Sequence, residues 1–274
     1  AMAALREIGD FSAGRLKAQA ERLRAWSAAG NPAEVMNVEL TFAAETIGAY
    51  AHESVHLQEV MAEAAREADR ARRRRGGGGP MPRRIAIVQG HPDPAGGHLC
   101  HALAEAYSDG ALGAGHGVRT IALSHLDFPL LRSQADFERG EAPADIAAAQ
   151  DTLAWADHWL IVHPLWLGEM PALLKGFLEQ ALRPGFAFRY RAGGLPEKLM
   201  TGRSARVIVT MGMPAFACRW FFLAHGLKAL KRNMLGFVGI APVRDTLVGS
   251  VGSLDAASID RLLARMRGEG AAAR

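Results

Sequence analysis

Apolar and polar positions change rhythm once along this chain, near residue 80. Before it, Met36, Leu40, Ala43, Ile47, Tyr50, Leu57 and Met61 step by four, three, four, three, seven and four, with Ser54 in the skipped place. That heptad seam predicts a helix over about 32–73, folded as a hairpin or coiled coil. An upstream helix offers Leu16, Ala20, Leu23 and Trp26 as the partner stripe. Gly30 and Asn31 suit the C-terminus of the first helix, and Pro32 suits the first turn of the second. Beyond residue 80, short apolar runs alternate with longer amphipathic stretches. The runs predict strands over 84–89, 118–123, 159–163, 205–211, 237–240 and 245–248. The stretches between predict helices over 97–112, 144–156, 171–182, 223–232 and 253–267. Strand–helix alternation implies an α/β fold, a doubly wound parallel sheet with helices on both faces, preceded by an N-terminal α-helical hairpin.

The change of rhythm coincides with ARRRRGGGGPMPRR, whose glycines and prolines read as a flexible linker. The predicted organisation is a helical hairpin over 1–75, a linker over 76–82 and the α/β domain over 83–274. At 274 residues, 49% hydrophobic and 22% charged, the chain has the composition of a folded soluble protein. It has no apolar run of 18 residues, so no membrane insertion is expected. Two cysteines, Cys100 and Cys218, make no disulfide framework. The opening AMAALREIGD lacks the layout of a signal peptide, and both features point to the cytoplasm. The absent initiator Met reads as a fragment or a processed form. The net charge of +4 is mild, with much of the excess in Arg72–Arg75. Without base-reading motifs, that run reads as a solvated linker, and no nucleic acid is expected.

Candidate chemistry lies where such sheets bind ligands, beyond the carboxyl ends of the strands. After the first strand comes Gly90-His91-Pro92-Asp93-Pro94-Ala95-Gly96-Gly97-His98, a small-residue loop opening a helix. Free amides at a helix start suit a phosphate. The loop matches neither a dinucleotide fingerprint nor a P-loop. His91, His98 and His101 raise the question of a metal, but their loop and helix setting favours phosphate or capping roles, so no metal is expected. After the third strand, Pro164-Leu165-Trp166-Leu167 can wall a flat ring, although Trp166 also reads as core packing. After the next comes Thr210-Met211-Gly212-Met213, a turn able to offer backbone amides to the ring's polar edge. A phosphate grip, an apolar wall and amide donors at one edge suit a phosphorylated ring cofactor such as a flavin.

The segments IAIVQGHPDPAGGHLCHALA, HPLWLGEMPALLKGFLEQALRPGFAF and VTMGMPAFACRWFFLAHG resemble the flavodoxin-like NAD(P)H:quinone oxidoreductases, the DT-diaphorase-like flavoenzymes, over residues 83 to about 265. The middle segment is the most specific. The resemblance implies FAD or FMN as cofactor, NAD(P)H as co-substrate, and hydride transfer to a quinone or similar acceptor. It implies that His91 and the backbone of His98, Leu99 and Cys100 hold the flavin phosphate. It sets Pro164, Leu165, Trp166 and Leu167 along the ring, and Thr210, Met211, Gly212 and Met213 at its pyrimidine side. Gly212 and His225 are the candidates for catalysis, through an amide and an acid. Phe188 and Tyr190 match aromatic positions that reach the neighbouring subunit's site in family homodimers. Three departures matter: members often carry Ser or Thr near Gly97, Asn near Cys100, and Tyr at Cys218. Family relatives also attach to potassium-efflux antiporters, so a regulatory role for the flavoprotein is the alternative. The stretch AGNPAEVMNVELTFAAETIGAYAHES resembles the phasins, helical coat proteins of polyester granules. That resemblance implies granule association through residues 1–75, the segment that a transporter-docking role would also use.

Overall fold

The computed structural model describes residues 2–31, 34–39, 41–42, 45–46, 81–191 and 194–274. It divides the chain into two units, Ala1–Gly79 and Pro80–Arg274.

In the first unit, helix α1 spans Met2–Ala28 and runs straight through Gly14. A second helical stretch covers residues 34–39. Arg22 on α1 pairs with Glu39 at 2.8 Å and lies 4.9 Å over the Phe42 ring, so the chain turns back on itself. The turn differs from expectation at one residue. Asn31 does not close α1; it caps the second helical stretch. Its Oδ1 accepts from the Glu34 amide at 3.0 Å, while Glu34 Oε2 accepts from the Gly30 amide at 2.8 Å. This reciprocal pairing satisfies amides that a helix start leaves open. Leu16, Leu23, Trp26 and Met36 are exposed. The rest of the predicted seam, Leu40, Ala43, Ile47, Tyr50, Leu57 and Met61, lies outside the described residues, as do the basic run and the glycines of the linker.

The second unit is built on five parallel strands: β1 (Arg84–Gln89), β2 (Gly117–Ala122), β3 (His158–Pro164), β6 (Ser204–Thr210) and β7 (Val243–Val248). Their order across the sheet is β2-β1-β3-β6-β7. The direction of winding therefore reverses between β1 and β3. Along the buried strands, successive residues enter opposite cores. Ile85, Ile87, Leu160 and Val162 pack beneath α2 (Leu99–Gly113) and α8 (Ala256–Ala271). Ala86, Val88, Trp159 and Ile161 pack beneath α4 (Ala144–Trp155) and α5 (Ala172–Ala181). Burial on both faces explains why these strands read as unbroken apolar runs. Two glycines let α2 and α8 touch: a Cβ on Gly110 would overlap the Arg267 carbonyl, and one on Gly270 the Tyr107 carbonyl. Asp255 caps α8 by accepting from the Ser258 amide at 2.8 Å.

Several elements depart from the predicted pattern. A short helix α3 (Gln134–Arg139) and a two-residue hairpin, β4 (Phe188–Arg189) with β5 (Glu197–Lys198), were not anticipated. The predicted helix over 223–232 is a composite. One π-type turn covers Ala217–Phe221, α6 spans only His225–Lys228, and a further π-type stretch runs over Ala229–Leu235. The predicted strand over 237–240 is a helical turn, α7 (Gly236–Val238), closed by Gly239 at φ +105°. Gly239 accepts the left-handed backbone that ends a helix, which the apolar run alone does not reveal.

Candidate functional site

The register of the sheet brings three loops to one edge. Gln89 lies opposite Val162, Pro164 opposite Thr210, and Thr210 opposite Val248. The chain segments leaving β1, β3 and β6 therefore emerge together at the reversal point. Side chains close the arrangement. The His91 ring meets the Trp166 ring edge-on at 6.3 Å between centroids. Cys100 Sγ lies 3.1 Å from Thr210 Oγ1.

The loop after β1 is folded by its own polar atoms. Gln89 Oε1 accepts from the His91 amide at 3.0 Å, and Asp93 Oδ1 from the Ala95 amide at 2.9 Å. Gly96 and Gly97 take φ of +71° and +75°, which only glycine adopts without cost. His98 then caps α2 with extended backbone and no side-chain cap. The amides of Leu99 and Cys100 find no acceptor among the described residues. Around this helix start the His91 and His98 rings stack at 3.9 Å, and His101 stands 5.3 and 5.7 Å from them. Asp93 Oδ2 holds His98 Nε2 at 2.7 Å. Burial lowers the His91 pKa below the usual imidazole value, and His98 and His101 lower it further. The His98 hydrogen bond holds Asp93 below the usual carboxylate range. Cys100 is a packing residue through its side chain: burial pushes its thiol up to about 11.

The loop after β3 forms a tight turn in which Trp166 and Glu169 exchange amide–carbonyl bonds at 2.9 and 3.0 Å. Leu167 and Gly168 sit at its tip with φ of +49° and +82°. A leucine in the left-handed region carries strain, and something must hold it there. Gly226 packs close against the same turn. A Cβ at that position would come within 2.7 Å of the Gly168 carbonyl and 2.8 Å of the Glu169 carboxyl carbon. Trp166 is 51% exposed and Leu167 is fully exposed, so the pair forms a surface wall and not core. The same contact brings His225, one residue before Gly226 and exposed, to the side of this turn.

In the loop after β6, the Met211 amide donates to the Val248 carbonyl at 2.8 Å, so it belongs to the sheet. The Gly212 and Met213 amides make no hydrogen bond among the described residues, which leaves those two as the donors of the turn. Gly249 supports it from below, since a Cβ there would overlap the Ala215 amide and approach the Met213 carbonyl at 2.7 Å. Asp245 anchors the next segment, pairing with Arg219 at 2.5 Å and with Lys231. Burial works against the Asp245 charge, but these two cations outweigh it and hold the carboxyl below its ordinary range. Phe188 is buried at 3% exposure against Tyr190 and Phe237, whereas Tyr190 is 58% exposed. Both line a separate cleft of about 240 Å³ with Phe137, Leu178, Met234 and Phe237.

Residues 83–268 match the family described by a flavodoxin-like fold. The chain belongs to that family. It is 31% identical over 109 residues to an FMN-dependent NADH:quinone oxidoreductase of Bordetella avium, covering 38% of this chain and 52% of that protein. It is 29% identical over 117 residues to an NAD(P)H oxidoreductase of Haemophilus influenzae, uncharacterized by its own name, covering 42% and 57%. The chain thus spans little more than half the length of these curated relatives. The solved structure of Smu.1420 from Streptococcus mutans superposes with a TM-score of 0.59 at 28% identity, covering 69% of this chain and 98% of that one. The family match begins at residue 83, so the phasin-like reading of residues 1–75 rests on the sequence alone.

The site fits a flavin tail on its own terms. Open amides stand at the helix start, and two buried polar atoms of the neighbouring residues Gln89 and His101, Nε2 and Nδ1, have no partner among the described residues. Buried polar groups left unpaired call for a ligand or water to complete them. Gln89, Gly226 and Gly249 were not singled out from the sequence. Gln89 reads there as the end of a strand, and the glycines act through contacts distant along the chain. Among the described residues, no group of His, Cys, Asp and Glu converges as a metal site. No described helix is long and apolar enough to cross a membrane.

Proposed function

We propose that residues 83–268 are a flavin-dependent oxidoreductase that passes reducing equivalents from NAD(P)H to a quinone or similar acceptor, with FMN as the flavin. The observation that carries this reading is the meeting of three loops at the reversal point, with His91 and Trp166 in edge contact. The names of the Bordetella relative and its kin support the choice of FMN and quinone.

Bound flavin supplies the two-electron exchange between nicotinamide and acceptor. The chain supplies position and charge. The His91 side chain and the backbone of His98, Leu99 and Cys100 hold the phosphate. Pro164, Leu165, Trp166 and Leu167 flank one side of the ring, and Thr210 and Met211 support the turn beyond it. The amides of Gly212 and Met213, without a partner among the described residues, would hold the polar edge of the ring. Donors fixed in advance stabilise such charge without reorganising. His225, beside the Trp166 turn, is the acid that delivers a proton to the acceptor. Tyr190, exposed beside the aromatic cleft, reaches a partner's site in a homodimer, with Phe188 behind it.

The purified protein is expected to be yellow, to release FMN on denaturation by mass analysis, and to oxidise NADH or NADPH only when a quinone is present. A colourless protein that no flavin reconstitutes would overturn the reading.

A further inference from the structure

The chain between β6 and β7 is fastened unevenly. Its later limb is rooted in the core, where Leu227, Leu230 and Leu235 are buried. Its earlier limb, residues 215–222, buries only Cys218. Around that cysteine Phe216, Phe221 and Phe222 are exposed, Phe221 at 80%. Leu223 and Ala224 join the two limbs, and both take left-handed backbone, with φ of +54° and +46°. Two successive residues with a Cβ in that region carry strain that glycine would not.

Strain of this kind persists only where the surroundings hold it. One carboxylate does so from β7. Asp245 accepts from Arg219 on the earlier limb at 2.5 Å and from Lys231 on the later limb. Its side chain is largely buried, while both cations keep access to solvent. Charge-assisted bonds of this type are stronger than neutral ones. The root of the earlier limb is fixed by packing instead. Gly249 lies so close to Ala215 that a Cβ there would overlap the Ala215 amide. The limb thus runs from a packed root to a strained joint, with an ion pair between them.

We propose that residues 216–222 form a flap, with its hinge at Leu223–Ala224 and its latch at Asp245, and that flavin binds the latched form. The second clause rests on the flavin reading of the neighbouring site. The flap starts just past the Gly212–Met213 turn and ends just before Gly226, which packs on the Trp166 turn. A closed flap therefore ties together the loop that reading sets along the ring and the loop it sets at the polar edge. Latch and strain oppose each other. Releasing Arg219 from Asp245 lets the joint relax to ordinary backbone, and the balance of the two fixes how often the flap opens.

The chain carries its own reporters, since Cys100 and Cys218 are its only cysteines. Cys218 is buried on the flap and Cys100 in the core along α2. Alkylation of Cys218 follows opening of the flap, and alkylation of Cys100 follows unfolding of the unit. Both rates are measured with iodoacetamide at pH 8 by mass analysis, on flavin-depleted full-length protein. Asp245→Asn is expected to speed Cys218 alkylation about tenfold and to leave Cys100 unchanged. Ala224→Gly relieves the joint and is expected to slow Cys218 alkylation about threefold. A Cys218 rate unmoved by Asp245→Asn, or rising in step with Cys100, overturns the latch. Should that variant not fold, Ala224→Gly decides alone: slower Cys218 alkylation supports the hinged flap, and an equal or faster rate overturns it. Saturating FMN is expected to slow Cys218 alkylation in the wild type at least about fivefold, because a ligand that prefers the closed form depletes the open one. FMN that binds, read by fluorescence quenching, without slowing Cys218 overturns the link between flap and flavin. Absence of FMN binding overturns the flavin reading, while the flavin-free rates still decide the latch.

Discussion

His158 and His163 lie on β3, almost cut off from solvent. Burial, with Arg83, Arg206 and Arg244 close by, lowers the His158 pKa to about 3. Burial alone lowers His163 to about 4, against a small opposing pull from the Pro164 carbonyl. Both imidazoles are neutral when folded and take a proton below about pH 6.5 when unfolded. The unfolded chain thus binds more protons in mild acid. The stability held above pH 6.5 is lost as pH falls toward the folded values. Between pH 7 and 5 each histidine is expected to cost about 2 kcal/mol, read as a falling urea midpoint. His158→Gln should flatten that slope. An unchanged midpoint over this range would show that the two rings are not buried as bases. Cys100, with its thiol pushed up to about 11 and set against Thr210, should stay unalkylated in the native protein at pH 8 by mass analysis.

At the scale of elements, glycines decide which segments touch. Gly110 and Gly270 let α2 and α8 cross with backbone against backbone, while Gly226 and Gly249 prop the turns after β3 and β6. These pairs should fail differently. Gly110→Ala forces the helices apart and is expected to cost about 1–3 kcal/mol in denaturant unfolding, with flavin affinity little changed once folded. Gly226→Ala pushes on the Gly168 carbonyl and the Glu169 carboxyl and shifts the Trp166 wall. Its expected signature is a flavin affinity at least about tenfold weaker, with circular dichroism unchanged. Equal loss of stability and of affinity in both variants would show that the loops are not supported separately from the core.

The legibility of elements divides in the same way. The parallel strands announce themselves because burial on both faces demands continuous apolar runs, as in β1 and β3. The composite segment from Ala217 to Val238 does not. Its π-type turns answer to the packing of Cys218, Leu227 and Leu230 into the core and to the Asp245 ion pairs, none of which leaves a periodic trace. Asn31 shows a subtler limit. The same residue type ends one helix or begins another, and only Glu34 three places on, reaching back to Gly30, decides between them.

At the scale of the whole molecule, two units succeed one another along the chain, and the family match, residues 83–268, lies within the second. Granule or transporter association through residues 1–75 is therefore a proposal about the first unit alone. The exposed apolar side chains Leu16, Leu23, Trp26 and Met36 motivate it. A fluorescent fusion of residues 1–75 is expected to gather on polyester granules in granule-bearing cells. Diffuse fluorescence there would remove the granule role, and co-purification of the full chain with an antiporter would favour the transporter role.

Sequence alone determined the α/β class, the five strands of the parallel sheet and the loops that meet at its carboxyl edge. Burial and chain punctuation are local demands written in residue type and spacing. Tertiary structure decided which of those residues meet: His91 with Trp166, Cys100 with Thr210, Gly226 with Gly168. It also tied the Met211 amide into the sheet and left the Gly212 and Met213 amides without a hydrogen bond among the described residues. Such pairings depend on parallel register and on close approaches between segments distant along the chain, which no local pattern of side chains encodes.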